Sequence, residues 1–287
     1  MILQVYLTAS EFLEKAQNYL LQDEAINNLM LGLAVYLKHQ PETDKPPSYM
    51  ATVEQGSQFL LAALMTPPRS VILFSPGEPD REACEVVARD LQSGGWQVVG
   101  VNAVSPLSAV FAETWQELTG CSYRPWLQMH TYKLERVVWP EPMPPGRLRQ
   151  AVPEDIPWAE DWLFRFHKEA LKLEDRQAMH RTAEDVISSH SLHVWEDDGH
   201  PVSMASGRRP SPHGIVIAMV YTPPEFRGRG YASACVASLC QYYLDSGKSF
   251  CSLFADLENP TSNHIYQRIG FQWIGNFTEY RFLPEMA

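Results

Sequence analysis

The stretch VYTPPEFRGRGYASACVASL, residues 220–239, decides how this chain is read. It joins the apolar run GIVIAMVYT, residues 214–222, to an apolar helical pattern beginning at Ala232. Two prolines, two arginines and two glycines stand between them. A helix N-terminus leaves its first backbone N–H groups unpaired and carries partial positive charge, so it attracts anions. Gly228 and Gly230 let the backbone approach an anion closely and turn through positive φ. Arg227 and Arg229 add charge, and the small Ala232 lets the helix start near the ligand. A diphosphate suits such a nest, and a solvated basic turn between strand and helix is the open alternative.

Other phosphate loops do not match. The pattern GxxxxGK[ST] is absent, and GxGxxG fails because no third glycine follows Gly228 and Gly230 at the required interval. An RNA-binding RGG segment would be disordered, whereas this stretch links a core strand to an amphipathic helix. A second constellation lies downstream in NPTSNHIYQRIGF, residues 259–271. Asn259 suits an N-cap, Pro260 the first helical position and Gly270 a C-terminal stop. Asn259, Ser262 and Tyr266 are three and four residues apart and share one helix face, with Ile265 and Ile269 on an adjacent face. Tyr266 also fits as a half-buried aromatic with no chemical part.

Working outward, GRLRQA (146–151) is a strand, and VPEDIPWAEDWLFRFHKEA (152–170) a helix with Ile156, Ala159, Trp162, Leu163 and Phe166 at helical spacing. RTAEDVISS (181–189) is a second short helix. SLHVWEDDGHPVSMASGR (191–208) is a hairpin turning at Asp197, Asp198 and Gly199. GIVIAMVYT is apolar on both faces and therefore central in a sheet. A helix from Ala232 to Ser246, the strand SFCSLFA, a helix from Thr261 to Ile269 and two strands, FQWIG and TEYRFL, complete an α/β domain with a mixed sheet. Four prolines and Gly146 in residues 139–146 mark a linker. The division is therefore 1–138, a proline-rich linker at 139–145, and 146–287.

The N-terminal part repeats this order without a residue-level repeat. A long helical region precedes YMATVE, QFLLAALMT and SVILFS. The helix DREACEVVARDL, the strand WQVVGVN, a helix and a strand near LQMHTYKLERVV follow. Where one half has RGRGYA the other has PGEPDREA, which is acidic and lacks the glycine pair.

Arg227, Gly230 and Ala232 form R-x-x-G-x-A, and with residues 259–271 this resembles the two diagnostic segments of the GNAT N-acetyltransferase superfamily. The resemblance covers about Gly146 to Leu283 and extends to the N-terminal half only through element order. It implies tandem GNAT-like α/β domains, the first degenerate and without a cofactor loop. It further implies that acetyl-CoA is the cosubstrate, with no metal. By position, the backbone at Val220, Tyr221 and Thr222 would hold the pantetheine arm and acyl oxygen, and the amides of Arg227, Gly228, Arg229, Gly230, Tyr231 and Ala232 the diphosphate. Asn259 and Ser262 would touch the cofactor, and Tyr266 would be the catalytic acid beside its sulfur. The strand before the loop has no carboxylate, so the base is water or one of Asp256, Glu258, Glu169 and Glu174, each of which reads first as a solvated surface carboxylate. His213 is read as a loop histidine.

Composition narrows the function classes. The chain has 287 residues, is 45% hydrophobic and carries a formal charge of -11, which fits a two-domain globular protein and not a nucleic-acid binder. No apolar run approaches the length of a membrane span, and the N-terminal residues lack a secretory pattern, which predicts a cytoplasmic protein with no membrane partner. The five cysteines, Cys84, Cys121, Cys235, Cys240 and Cys251, have no metal-ligand spacing and are expected to be buried free thiols. The expected activity is transfer of an acetyl group from acetyl-CoA to a primary amine of a small or amino-acid-like molecule, by a monomer or homodimer. A protein or peptide acetyltransferase and an acyl-CoA sensor without turnover are the alternatives.

Overall fold

In the computed structural model, which describes residues 1–40, 47–171 and 174–283, the chain packs into two units. The first comprises Met1–Thr131, Ala255–Glu258 and the residues from Ile274 on; the second comprises Tyr132–Phe254 and Asn259–Trp273.

The first unit contains β1 (Ile2–Val5), α1 (Ala9–Leu20), α2 (Asn28–His39), β2 (Tyr49–Gln55), β3 (Gln58–Met65), β4 (Val71–Phe74), α3 (Arg81–Ser93), β5 (Gly100–Val104) and α4 (Leu107–Thr119). Strands β1 to β4 pair antiparallel in sequence order, and β4 then pairs parallel with β5, Val71 opposite Val101 and Ile72 opposite Asn102. Apolar residues on both faces of β3 explain its central place. Leu61, Ala63 and Met65 join the core of α3 and α4, while Ala62 and Leu64 join the core of α1 and α2. Thr8 and Glu11 form a reciprocal capping box that starts α1. The expected long helical region is two helices separated by a 3-10 turn at Leu21–Asp23. Strand β1, which the sequence reading did not anticipate, pairs with β2.

After β6 (Ser122–Leu134), the second unit repeats the plan with β7 (Arg147–Gln150), α5 (Ile156–Leu171), α6 (Arg176–Ser188), β8 (Leu192–Asp197), β9 (His200–Arg208), β10 (Gly214–Tyr221), α7 (Tyr231–Asp245), β11 (Phe250–Asp256) and α8 (Pro260–Arg268). Strands β7 to β10 are again antiparallel in order, and β10 and β11 are parallel. The strand order and the placement of the helices thus match between the units, as expected for a duplication.

The expected final pair of strands is instead one strand, β12 (Gln272–Leu283). Gly275 and Asn276 suggest a turn, yet the chain stays extended there. From Ile274 onward β12 belongs to the first unit, where Phe277 to Arg281 pair antiparallel with Val104 to Gly100 of β5. Residues 132–138 and the proline-rich 139–145 lie in the second unit. Among the described residues, no helix is long and apolar enough to cross a membrane. All five cysteines are free; four are buried, whereas Cys121 is partly exposed.

Candidate functional site

The site begins where β10 leaves its parallel neighbour. Pairing with β11 covers only Gly214 to Val216 against Phe250 to Ser252, although both strands continue beyond. On its other side β10 bulges. Ala218 faces Ser206 and Tyr221 faces Met204, so Met219 and Val220 together oppose Ala205. Met219 takes φ 55°, a left-handed conformation that an unbranched residue adopts only at a cost. The bulge redirects the end of β10 just before the loop. The hydroxyl of Ser252, buried at the last paired position of β11, has no hydrogen-bond partner among the described residues.

Loop residues 222–230 contain a 3-10 turn at Pro224–Phe226, which orders the chain into the glycines. Gly228 and Gly230 have φ of 75° and 82°, and a side chain at Gly228 would meet nothing within 4 Å. Gly230 is the N-cap of α7, in left-handed conformation and without a side-chain capping bond. Among the described residues nothing accepts from the amides of Gly228, Arg229 and Gly230. The first-turn amides of Tyr231 and Ala232 have no intrahelical acceptor either, by helix geometry. Five successive N–H groups therefore lack an acceptor there, whereas the Arg227 amide, expected among them, donates to Pro224 O at 3.3 Å. The matching helix of the first unit differs: Asp80 caps α3 by accepting from Ala83 N at 3.0 Å. The contrast between RGRGYA and PGEPDREA is thus a contrast between an open and a self-capped helix terminus.

Arg227 is turned back toward the strand end. Its Nε donates to Thr222 O at 2.8 Å, its Nη2 meets Glu169 Oε2 at 2.7 Å, and its guanidinium lies 5.7 Å from the centre of the Tyr221 ring. Tyr221 is buried and donates to Glu169 Oε1 at 3.3 Å. Its pKa is raised, first by burial and then by the Glu169 charge. Trp162 of α5 packs edge-on against Tyr221 at 6.2 Å. Ser203 of β9 holds Thr222 through a 2.9 Å bond between their hydroxyls. Tyr231 points inward, its hydroxyl donating to Asp197, so only its backbone faces the loop's open side.

Helix α8 starts as expected. Asn259 Oδ1 accepts from Ser262 N at 3.0 Å, which commits that oxygen to the cap. Tyr266 is 8% exposed and packs on Phe271. Burial raises its phenol well above the ordinary value, the neighbouring Cys240 adds to this, and a hydrogen bond with Ser262 opposes it. Tyr266 is therefore a protonated phenol at neutral pH, able to donate.

Of the candidate bases, Glu169 is the one tied to the end of β10. Glu174 pairs with Lys168 at 3.1 Å, and both are exposed. Asp256 Oδ1 accepts from Glu258 N at 2.9 Å in a local turn, and both residues group with the first unit. His213 precedes β10 at the end opposite Tyr221 and accepts through its carbonyl from Ser249 N. Glu169, Arg227 and Tyr221 are 52 and 58 residues apart along the chain, which hides their meeting from the sequence. The partnership of Tyr231 with Asp197 was missed for the same reason.

Residues 155–271 match the model of the acetyltransferase (GNAT) family. No curated protein matches the chain. Among solved structures, a GNAT-family acetyltransferase from Colwellia psychrerythraea is similar over 99% of this chain and 100% of its own, with 10% identity and a TM-score of 0.62. A GCN5-related N-acetyltransferase from Sphaerobacter thermophilus covers 98% and 95%, with 16% identity and a TM-score of 0.62. A tandem GNAT protein from the clavulanic acid biosynthesis pathway covers 97% and 98%, with 12% identity and a TM-score of 0.57. At these identities the likeness is one of fold.

Proposed function

The chain carries a GNAT-family acetyltransferase domain at residues 155–271, and from that premise we propose that it transfers an acetyl group from acetyl-CoA to the primary amine of a small molecule. The observation that carries the reading is the row of five amides at Gly228 to Ala232, open at an uncapped helix terminus behind two positive-φ glycines. Such a terminus suits a diphosphate, and the residues present fit coenzyme A there. When bound, the thioester supplies an activated acyl group. In this reading the backbone at Val220 to Thr222 borders the acyl arm at the splayed strand end, and Asn259 and Ser262 lie along the cofactor.

The chemistry follows from the two groups already described. The neutral amine attacks the acyl carbon, a C–N bond forms and the C–S bond breaks. The amine proton passes to Glu169, directly or through one water, and Tyr266 gives its proton to the leaving sulfur. Arg227 holds Glu169 at the strand end, and Trp162 supplies an apolar wall beside it. A small acceptor is favoured because the bulky side chains Trp162 and Tyr221 crowd this end of β10.

Calorimetric titration with acetyl-CoA tests the reading. One equivalent per chain is expected, and none in folded Gly230→Glu, whose side chain and charge would occupy the diphosphate position. Residue 230 sits at φ 82°, so the substitution adds strain of about 1–2 kcal/mol, and a melting curve must accompany the titration. Unchanged affinity in the folded variant would reduce the loop to an ordinary turn. Acetyl release with a panel of small amines and a lysine peptide then selects the acceptor class.

A further inference from the structure

The outer strand of the first unit is β1, which among the described residues has β2 as its only strand neighbour. Its register sets Leu3 opposite Val53 and Gln4 opposite Thr52, and the bond from Tyr6 N to Met50 O at 2.8 Å fixes the phase of the pairing. Bonded and non-bonded positions alternate along an antiparallel pair, so Ile2, Gln4 and Tyr6 bond to β2 while the N–H and C=O of Leu3 and Val5 point outward. Among the described residues these outward groups meet one neighbour, Gln4 Nε2 of the same strand, 3.4 Å from Val5 O. The side chains along this edge are apolar and open: Ile2 is 67%, Val5 43% and Leu7 93% exposed. A groove of about 360 Å³, bordered by Val5, Leu7 and Trp96, runs beside them. The corresponding outer strand of the second unit is guarded. There β7, RLRQ, carries Arg147 and Arg149, both paired with Glu196, and charges on an edge deter the addition of a strand. Residues 1–10, MILQVYLTAS, contain no charged side chain and no proline.

We propose that a second copy of this chain pairs its own β1 with this edge, giving a two-fold homodimer. Antiparallel pairing about a two-fold axis is self-complementary. Leu3 of one copy stands opposite Val5 of the other and exchanges both backbone bonds with it, and the reverse pair does the same. Gln4 then lies at the axis, facing its own counterpart as one uncharged amide against another. A strand from a different protein would need outward groups at the same spacing and no charge; a second copy brings both by construction. The contact also keeps carboxylates of residues 1–10 out of the interface, which matters between two chains of formal charge -11. Val5 and Leu7 are covered by the added strand, which removes apolar surface from water. The inference does not rest on acetyl transfer.

The test is sedimentation velocity on the full chain, where the wild type should run with the mass of two chains at about 100 µM. Gln4→Glu and Gln4→Lys each set like charges face to face across the axis, and each should raise the dimer dissociation constant by about fivefold or more. An equimolar mixture of the two variants joins opposite charges there and should recover a dimer holding one chain of each kind, counted by native mass spectrometry. Gln4 is exposed, so the circular dichroism spectrum should stay that of the wild type in both. A monomeric wild type at that concentration, a dimer equally stable in both variants, or a mixture no more dimeric than its parts would each overturn the proposal.

Discussion

In the proposed mechanism Tyr266 and Glu169 divide the proton transfers between them, and each can be tested separately. Tyr266→Phe keeps the ring against Phe271 and removes the donor. Turnover should fall by about 10²-fold to 10⁴-fold with acetyl-CoA affinity unchanged, measured by steady-state kinetics beside calorimetry. Wild-type turnover would remove the phenol from the mechanism. Because burial raises the Tyr266 pKa, the wild-type enzyme should show no loss from tyrosine ionisation below the ordinary value of about 10. Glu169→Gln should lower kcat by a comparable factor, with partial recovery in Glu169→Asp; an unchanged kcat would return the proton to water or to another group. At this scale the sequence was informative where chemistry is local. Asn259, Ser262 and Tyr266 share a face because three- and four-residue spacing dictates it. Glu169 could be named only as one carboxylate among four, since nothing local places it under Arg227.

Helix α5 brings Glu169 and Trp162 to the site, and its start is fixed by one acidic residue. Asp155 accepts from Arg149 Nη1 at 2.6 Å and Nη2 at 3.1 Å, from Val152 N at 2.8 Å and from Trp158 Nε1 at 2.8 Å. Burial pushes its carboxyl pKa up, but these hydrogen bonds outweigh it and the net shift is downward. A lowered carboxylate pKa contributes stability that is fully present above the ordinary value of about 4 and is lost as pH falls through the folded value. Asp155→Ala should therefore cost about 1–3 kcal/mol near neutral pH, since Arg149 keeps Glu196 as a partner, and the difference from wild type should shrink in acid. Chemical denaturation at pH 7 and pH 3 measures both; a pH-independent difference would mean that lost packing, not charge, is the cause. Elements of this kind were legible where capping and periodicity agree, as at Asn259 and in the hairpin at Asp198. The long strand β12 was not, because Gly275 and Asn276 carry a turn signal that tertiary pairing overrides.

Across the whole chain, the duplication was visible as repeated element order, but the ownership of strands was not. A proline cluster marks irregular backbone; it does not report which strands pair, and β5 finds its neighbour more than 160 residues away. A fragment of residues 1–138 should consequently be unstable, since it lacks the β12 residues Phe277, Tyr280 and Phe282 that pack into the first unit. Adding a synthetic peptide of residues 272–283 should restore a cooperative melt, and a fragment that melts cooperatively without it would show that β12 is dispensable. The same strand sets a schedule for protein synthesis. A ribosome delivers β12 only after all of β7 to α8, so β5 must wait with an unpaired edge while the second unit is made and folds. Ile274 arrives with that strand, so the cavity at the ends of β4 and β5 gains its last wall only after translation has passed residue 271, where the segment matching the acetyltransferase family ends.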